Sequence, residues 1–169
     1  QKVFQLHLNE NARFSNGIKV TVKDVELPLK RHLIYPGTHI EFRDKLVGGR
    51  IQTFGDQVQG LKIINDQEIE ITLNYPDQNF LYWLAFPELI IVPSEEAMKP
   101  IGKMNFKITS GPYFLESNEP DHLTFHQNPH FYFSHGNASK CIQIFGYEDP
   151  EKVVKNLAAG SLDFIDYGA

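Results

Sequence analysis

The stretch "GLKIINDQEIEITLN", residues 60 to 74, constrains this chain more than any other. Ile69, Ile71 and Leu73 alternate with Glu68, Glu70 and Thr72, a period of two that puts apolar side chains on one face of a strand and polar ones on the other. "GLKII" predicts a partner strand and "NDQ" the turn between them. A sheet with one apolar face has to be covered by something else in the chain.

The covering elements are legible nearby. "VFQLHL" alternates with Phe4, Leu6 and Leu8 on one face and reads as another half-buried strand. Asn16-Gly17 is a turn. Thr21 followed by Asp24 is a capping box, in which the carboxylate reaches back to the cap. It opens a helix with Val25, Leu29, His32 and Leu33 on one stripe, and Pro28 predicts a kink or a shortened helix. "LIYPGTH" reads as a loop, and residues 38 to 47 as a further helical stretch ended by Gly48-Gly49. "DQNFLYWLAF" predicts a short helix capped by Asp77, with Phe80, Leu81 and Leu84 inward. "ELIIVP" reads as a buried strand stopped by Pro93, and Ser94 as the start of a short helix with Glu95 and Glu96 in its first turn.

Farther on, "GPYFLES" and "HLTFHQ" predict an antiparallel pair across "NEPD", with "KCIQIFGY" a third strand. Asp149, Pro150 and Gly160 have the residue types of a helix N-cap, first turn and C-terminal stop. The helix between them places Val153, Val154, Leu157 and Ala158 on one face. "LDFIDY" reads as a strand, and strand–helix–strand at this spacing predicts a parallel pair with a right-handed crossover.

The totals narrow the function classes. The 169 residues fit one domain or part of a larger one, and 41% hydrophobic content supports a core. A net charge of -5 leaves no basic footprint for nucleic acid or an anionic membrane surface. No apolar run approaches the roughly 20 residues that span a bilayer. The start of the chain reads as a strand, not a signal peptide. Cys141 is the only cysteine, so no intrachain disulfide can form, and it reads as a small core residue.

"DHLTFHQNPHFYFSH", residues 121 to 135, holds four histidines and raises the question of a metal. On a strand, His122, Thr124 and His126 share one face, with Leu123 and Phe125 on the other. His122 and His126 then lie about 13 Å apart along the strand, too far to share an ion whose ligands sit about 2 Å from its centre. They read as solvated surface histidines; His130 and His135 could still converge through loop geometry. No nucleophile elbow, zincin, phosphate-loop or dinucleotide motif occurs. No residue set supports an enzyme, and none calls for a cofactor.

The order of the pieces carries a resemblance. "FQLHLNENARFSNGIKVTVKDV", then "QGLKIINDQEIEITLNYPDQNFLYWLAFPELIIVPSEEA", then "ITSGPYFLESNEPDHLTFHQNPHFYF", and finally "AAGSLDFID" resemble, in sequence order, four blocks of the family 5 extracellular solute-binding proteins. This family includes the oligopeptide-, dipeptide- and nickel-binding components of ABC importers. The chain departs from its pattern at Val22, where the family has alanine, at Phe131-Tyr132, where it has Tyr-Trp, and at Pro28.

The resemblance implies an α/β class with mixed β-sheets and flanking helices, part of a type II periplasmic-binding-protein-like, two-lobed fold. It implies that residues 1–93 are a small extra subdomain and residues 94–169 part of the first ligand-binding lobe, with the rest of the enclosure elsewhere in a longer polypeptide. The implied function is capture of a peptide for import, delivered to a membrane permease from the periplasm or from a cell-surface lipoprotein. Two alternatives stay open: the solute-sensing domain of a cytoplasmic transcriptional regulator, and a nickel or other metal importer's binding subunit. The cleft-adjacent candidates are Tyr35 and His39 in one loop, and Ser110 and Gly111 in "TSGPY". No metal site is expected.

Overall fold

The computed structural model describes residues 1–36, 40–133, 136–146 and 149–165. Two antiparallel three-stranded sheets organise them. The first has β1 (Val3–His7), β2 (Leu61–Asn65) and β3 (Glu68–Thr72) in the order β1-β3-β2. Its register pairs Phe4 with Ile71 and Leu6 with Ile69, and on the other side Leu61 with Ile71. The alternation in the hairpin strand survives intact: Ile69, Ile71 and Leu73 are buried while Glu68, Glu70 and Thr72 are half-buried.

The apolar face of this sheet packs on α1 (Val22–Ile34), α2 (Glu41–Lys45) and α3 (Phe80–Trp83). Leu29, Leu33, Phe42, Leu46 and Phe80 fill the space between, and Phe42 stacks on Phe80 with ring centroids 6.1 Å apart. Each such side chain contributes about 1.5–3 kcal/mol on burial, so this cluster is the main stabiliser of the described chain. The capping box forms: Asp24 accepts from the Thr21 N–H at 2.9 Å and the Thr21 hydroxyl at 2.8 Å. Helix α1 runs 13 residues straight through Pro28, so the proline does not shorten it.

Three expectations here need correction. Leu81 is 56% exposed, not inward. Helix α3 is a single turn, and one turn presents one side to the sheet, taken by Phe80 with Trp83 and Leu84. The helical stretch expected over 38 to 47 is shorter, Glu41–Lys45, with residues 37–39 outside the described set. "ELIIVP" is not a strand: Pro87–Leu89 is a 3-10 turn and the residues after it pair with no strand. The run is apolar because it threads between three clusters: Leu89 joins the sheet core, Ile91 packs on Ala12, Phe14 and Val20, and Val92 packs on Leu27 and Ala97. Side chains replace the missing ladder, since Arg31 donates to the Glu88 carbonyl and Ser110 Oγ to the Ile91 carbonyl.

After α4 (Ser94–Ala97) the second sheet follows, with β4 (Tyr113–Asn118), β5 (His122–Gln127) and β6 (Cys141–Phe145) in sequence order. A bulge between Leu115 and Ser117 shifts the β4–β5 register. Helix α5 (Pro150–Ala158) begins as expected, with Asp149 Oδ1 accepting from the Glu151 N–H at 2.9 Å and Pro150 in the first turn. Gly160 follows it with φ +72.

The expected parallel pair is absent among the described residues. All strand pairs are antiparallel, and residues 161–165 form no strand; Asp166 and Tyr167 of the expected strand lie outside the described set. A parallel crossover needs its helix packed on the sheet, and α5 buries no residue, with Val154 55% and Leu157 39% exposed. Cys141 is exposed at the start of the edge strand and is not a core residue.

Candidate functional site

A broad open basin of about 1100 Å³ lies between the end of β1, the 84–91 connector and the second sheet. Leu115 of β4 with Leu123 and Phe125 of β5 form one wall, and Phe86, Ile90 and Ile91 another. The period of two on β5 decides which side chains face in. Leu123 and Phe125 look into the basin while His122, Thr124 and His126 take the opposite face.

Ser110 and Gly111 stand on the basin wall. Their polar groups are committed within the chain: Ser110 Oγ donates to the Ile91 carbonyl at 3.2 Å, and the Gly111 carbonyl accepts from Asn128 Nδ2 at 2.9 Å. Thr109, buried beside them, donates from Oγ1 to the Tyr113 carbonyl at 3.0 Å. Tyr35, 50% exposed at the end of α1, does not line the basin, so the structure does not bring it together with the Ser110–Gly111 corner. His39 lies outside the described residues.

Asn128 is the residue that sequence reasoning missed. It is fully buried, and besides the Gly111 bond its N–H donates to the Pro112 carbonyl at 2.8 Å while its Oδ1 accepts from the His130 N–H at 2.8 Å. One side chain thus ties the 109–112 corner to the turn after β5. The only signal was Asn-Pro, which reads as a turn starter and says nothing of a partner seventeen residues away.

Three of the described histidines, His7, His122 and His126, are paired with carboxylates. His122 Nδ1 lies 2.9 Å from Asp121 Oδ1 and its ring stacks on Phe145 at 5.2 Å. The His122 hydrogen bond holds the Asp121 carboxyl below its ordinary range. His126 Nε2 is 3.0 Å from Glu116 Oε2, the bulged residue of β4, and His7 Nε2 is 3.4 Å from Glu68. Among the described residues no three His, Cys, Asp or Glu side chains converge to hold a metal; His135 is outside them. No helix among them is long and apolar enough to cross a membrane.

Two antiparallel three-stranded sheets with short covering helices thus border an open, largely apolar basin. Residues 1–169 match the bacterial extracellular solute-binding proteins, family 5 Middle, and the chain belongs to that family. It is 29% identical over 145 residues to the periplasmic oligopeptide-binding protein OppA of Salmonella typhimurium, covering 78% of this chain and 26% of that protein. Its fold superposes on Listeria monocytogenes OppA bound to peptide with a TM-score of 0.80 at 20% identity, over 96% of this chain and 34% of that one. It also superposes on the binding protein AgaA of A. tumefaciens in complex with agropinic acid, with a TM-score of 0.73 at 23% identity, over 96% of this chain and 31% of that one. The fold class is therefore the α/β one of the two-lobed periplasmic binding proteins. The chain spans about a quarter of its curated relative and about a third of the solved structures.

Proposed function

We propose that this chain is part of the solute-capturing component of an ABC importer and that the solute is a peptide. The observation that carries the reading is the family match along the whole chain together with 29% identity to an oligopeptide-binding protein. In such a role the protein captures and hands on its solute without transforming it, working outside the cytoplasmic membrane, in the periplasm or as a cell-surface lipoprotein, opposite a membrane permease. Residues 1–93 are the small extra subdomain and residues 94–169 contribute to the first ligand-binding lobe. Capture combines hydrogen bonding to an extended peptide backbone with hinge closure over it.

Within this chain the cleft-adjacent segments are the loop from Tyr35 to His39 and the corner at Ser110 and Gly111. The corner contributes as a rigid edge, because its hydroxyl and carbonyl are already engaged by Ile91 and Asn128. Among the described histidines, His7, His122 and His126 each meet a single carboxylate.

Calorimetry on the full-length protein carrying this chain tests the reading. A panel of di- to nonapeptides is expected to include at least one with a Kd of about 1 µM or tighter, some -8 kcal/mol, with agropinic acid and Ni²⁺ giving no saturable heat. Saturable binding of agropinic acid or Ni²⁺, with none of any peptide, would replace it.

A further inference from the structure

The basin has the dimensions of a solute site but not its chemistry. Ligand pockets run to about 300–1,000 Å³ and add a few convergent polar groups to apolar walls. This one reaches about 1100 Å³, and no Asp, Glu, Lys or Arg stands among its described lining residues. Most of the polar side chains that reach it are already engaged within the chain. Thr109 and Ser110 donate to backbone carbonyls, Asn9 Oδ1 accepts from the Asn11 N–H at 2.9 Å, and His7 pairs with Glu68. An extended peptide bound here would bury its own N–H and C=O groups against a wall with little to answer them, at a cost comparable to a lost hydrogen bond for each.

An apolar side chain from a folded neighbour brings no such cost. The chain also spans only about a third of the solved proteins that share its fold, and it superposes on them over 96% of its own length. Those proteins therefore have twice as much further polypeptide around the same framework. Phe133, which also lines the basin, is 61% exposed. Large apolar groups gathered uncovered on one wall mark an interaction surface.

We infer that the basin is an internal seat, filled by apolar polypeptide of the same protein from the part that lies beyond the region matched here, and that the solute does not enter it. This rests on family membership and on the fold, not on the peptide reading. Leu115, Leu123 and Phe125 are then core residues of the complete protein, and the solute cleft lies outside their wall.

The test uses the full-length protein with Cys141→Ser as background and single Leu115→Cys, Leu123→Cys or Phe125→Cys substitutions. Lys62→Cys, on the exposed side of β2, serves as the reactive reference. Maleimide labelling in the solute-free protein is expected to be on the order of 100-fold slower at the three basin positions than at position 62, since local opening must precede reaction. Adding a casein hydrolysate should leave that ratio unchanged. Fast labelling in the free protein overturns the inference, whether the hydrolysate then protects the sites, as a solute cleft requires, or leaves them open. Should a cysteine variant fail to fold, hydroxyl-radical footprinting of Leu115, Leu123 and Phe125 in the unmodified protein gives the same reading. Protection without hydrolysate supports the seat even if no peptide binds, so the two proposals fail separately.

Discussion

Asp24 and Asp77 each hold two segments together, through partners at different distances along the chain. Asp24 takes the Thr21 N–H and hydroxyl on one oxygen and the Ser94 hydroxyl at 2.8 Å on the other. The first pair was legible in the sequence because a capping box spans three residues; Ser94, seventy residues on, was not. Asp77 accepts from the Lys45 ammonium at 2.6 Å and from the Asn79 N–H at 2.8 Å, and that ammonium lies 4.9 Å from the Trp83 ring centroid. The Lys45 hydrogen bond first, and the Asn79 amide second, hold the Asp77 carboxyl below its ordinary range. A depressed carboxyl stabilises the fold above its unfolded pKa, near 3.9, and loses that contribution as pH falls through the folded value. Asp77→Asn should therefore lower Tm at pH 6, and the gap to the unchanged protein should narrow below about pH 4. A gap that stays constant down to pH 2.5 in thermal melts would mean that ionisation of Asp77 is irrelevant.

At the scale of elements, the hairpin is pinned by a close backbone crossing at Gly60. The Gly60 N–H donates to the Val47 carbonyl and its own carbonyl accepts from the Thr72 N–H, and a Cβ there would lie 2.5 Å from the Thr72 carbonyl oxygen and 2.9 Å from the Val47 N and O atoms. Those are backbone atoms, so they cannot swing aside. Gly60→Ala is expected to destabilise by about 1–3 kcal/mol in urea unfolding, whereas Gly55→Ala, whose nearest neighbour is the Thr53 hydroxyl at 3.7 Å, should be near neutral. Equal effects at the two sites would show that the crossing is not tight. Elements with a period or a cap of their own were readable: the β2–β3 hairpin, α1, and the β4–β5 pair. "ELIIVP" was not, because a continuous apolar run has the same composition whether it pairs in a sheet or threads between clusters. Helix α5 was readable as a helix, but its place was not, since a cap and a stripe say nothing about which surface receives them.

For the whole molecule, the share of a solute cleft that this chain holds decides what it can do alone. Solute pockets bury most of their ligand, and one side of a cleft leaves the cost of immobilising a peptide uncompensated. The 169-residue chain by itself should bind peptides no more tightly than about 1 mM, some -4 kcal/mol, in a calorimetric titration with the same panel. A micromolar constant would mean that the described residues hold a complete site. The order of blocks along the chain made the family legible from sequence, because each block is a local pattern and their succession is preserved. The basin wall was not legible, because it is assembled from residues as far apart in the chain as His7 and Phe133.

What the sequence by itself determined is local: alternation made the strands of both sheets, Thr21 with Asp24 and Asp149 with Pro150 started two helices, and the succession of these pieces marked a solute-binding family. What only the tertiary structure decided is who meets whom. It turned Asn128 into the tie beneath Ser110 and Gly111, paired His7, His122 and His126 with carboxylates, and left Leu123 and Phe125 facing an open basin. The reason is physical. Periodicity and capping are set by neighbours within a few residues, whereas burial and long-range hydrogen bonds depend on surfaces brought together only when the whole chain has packed.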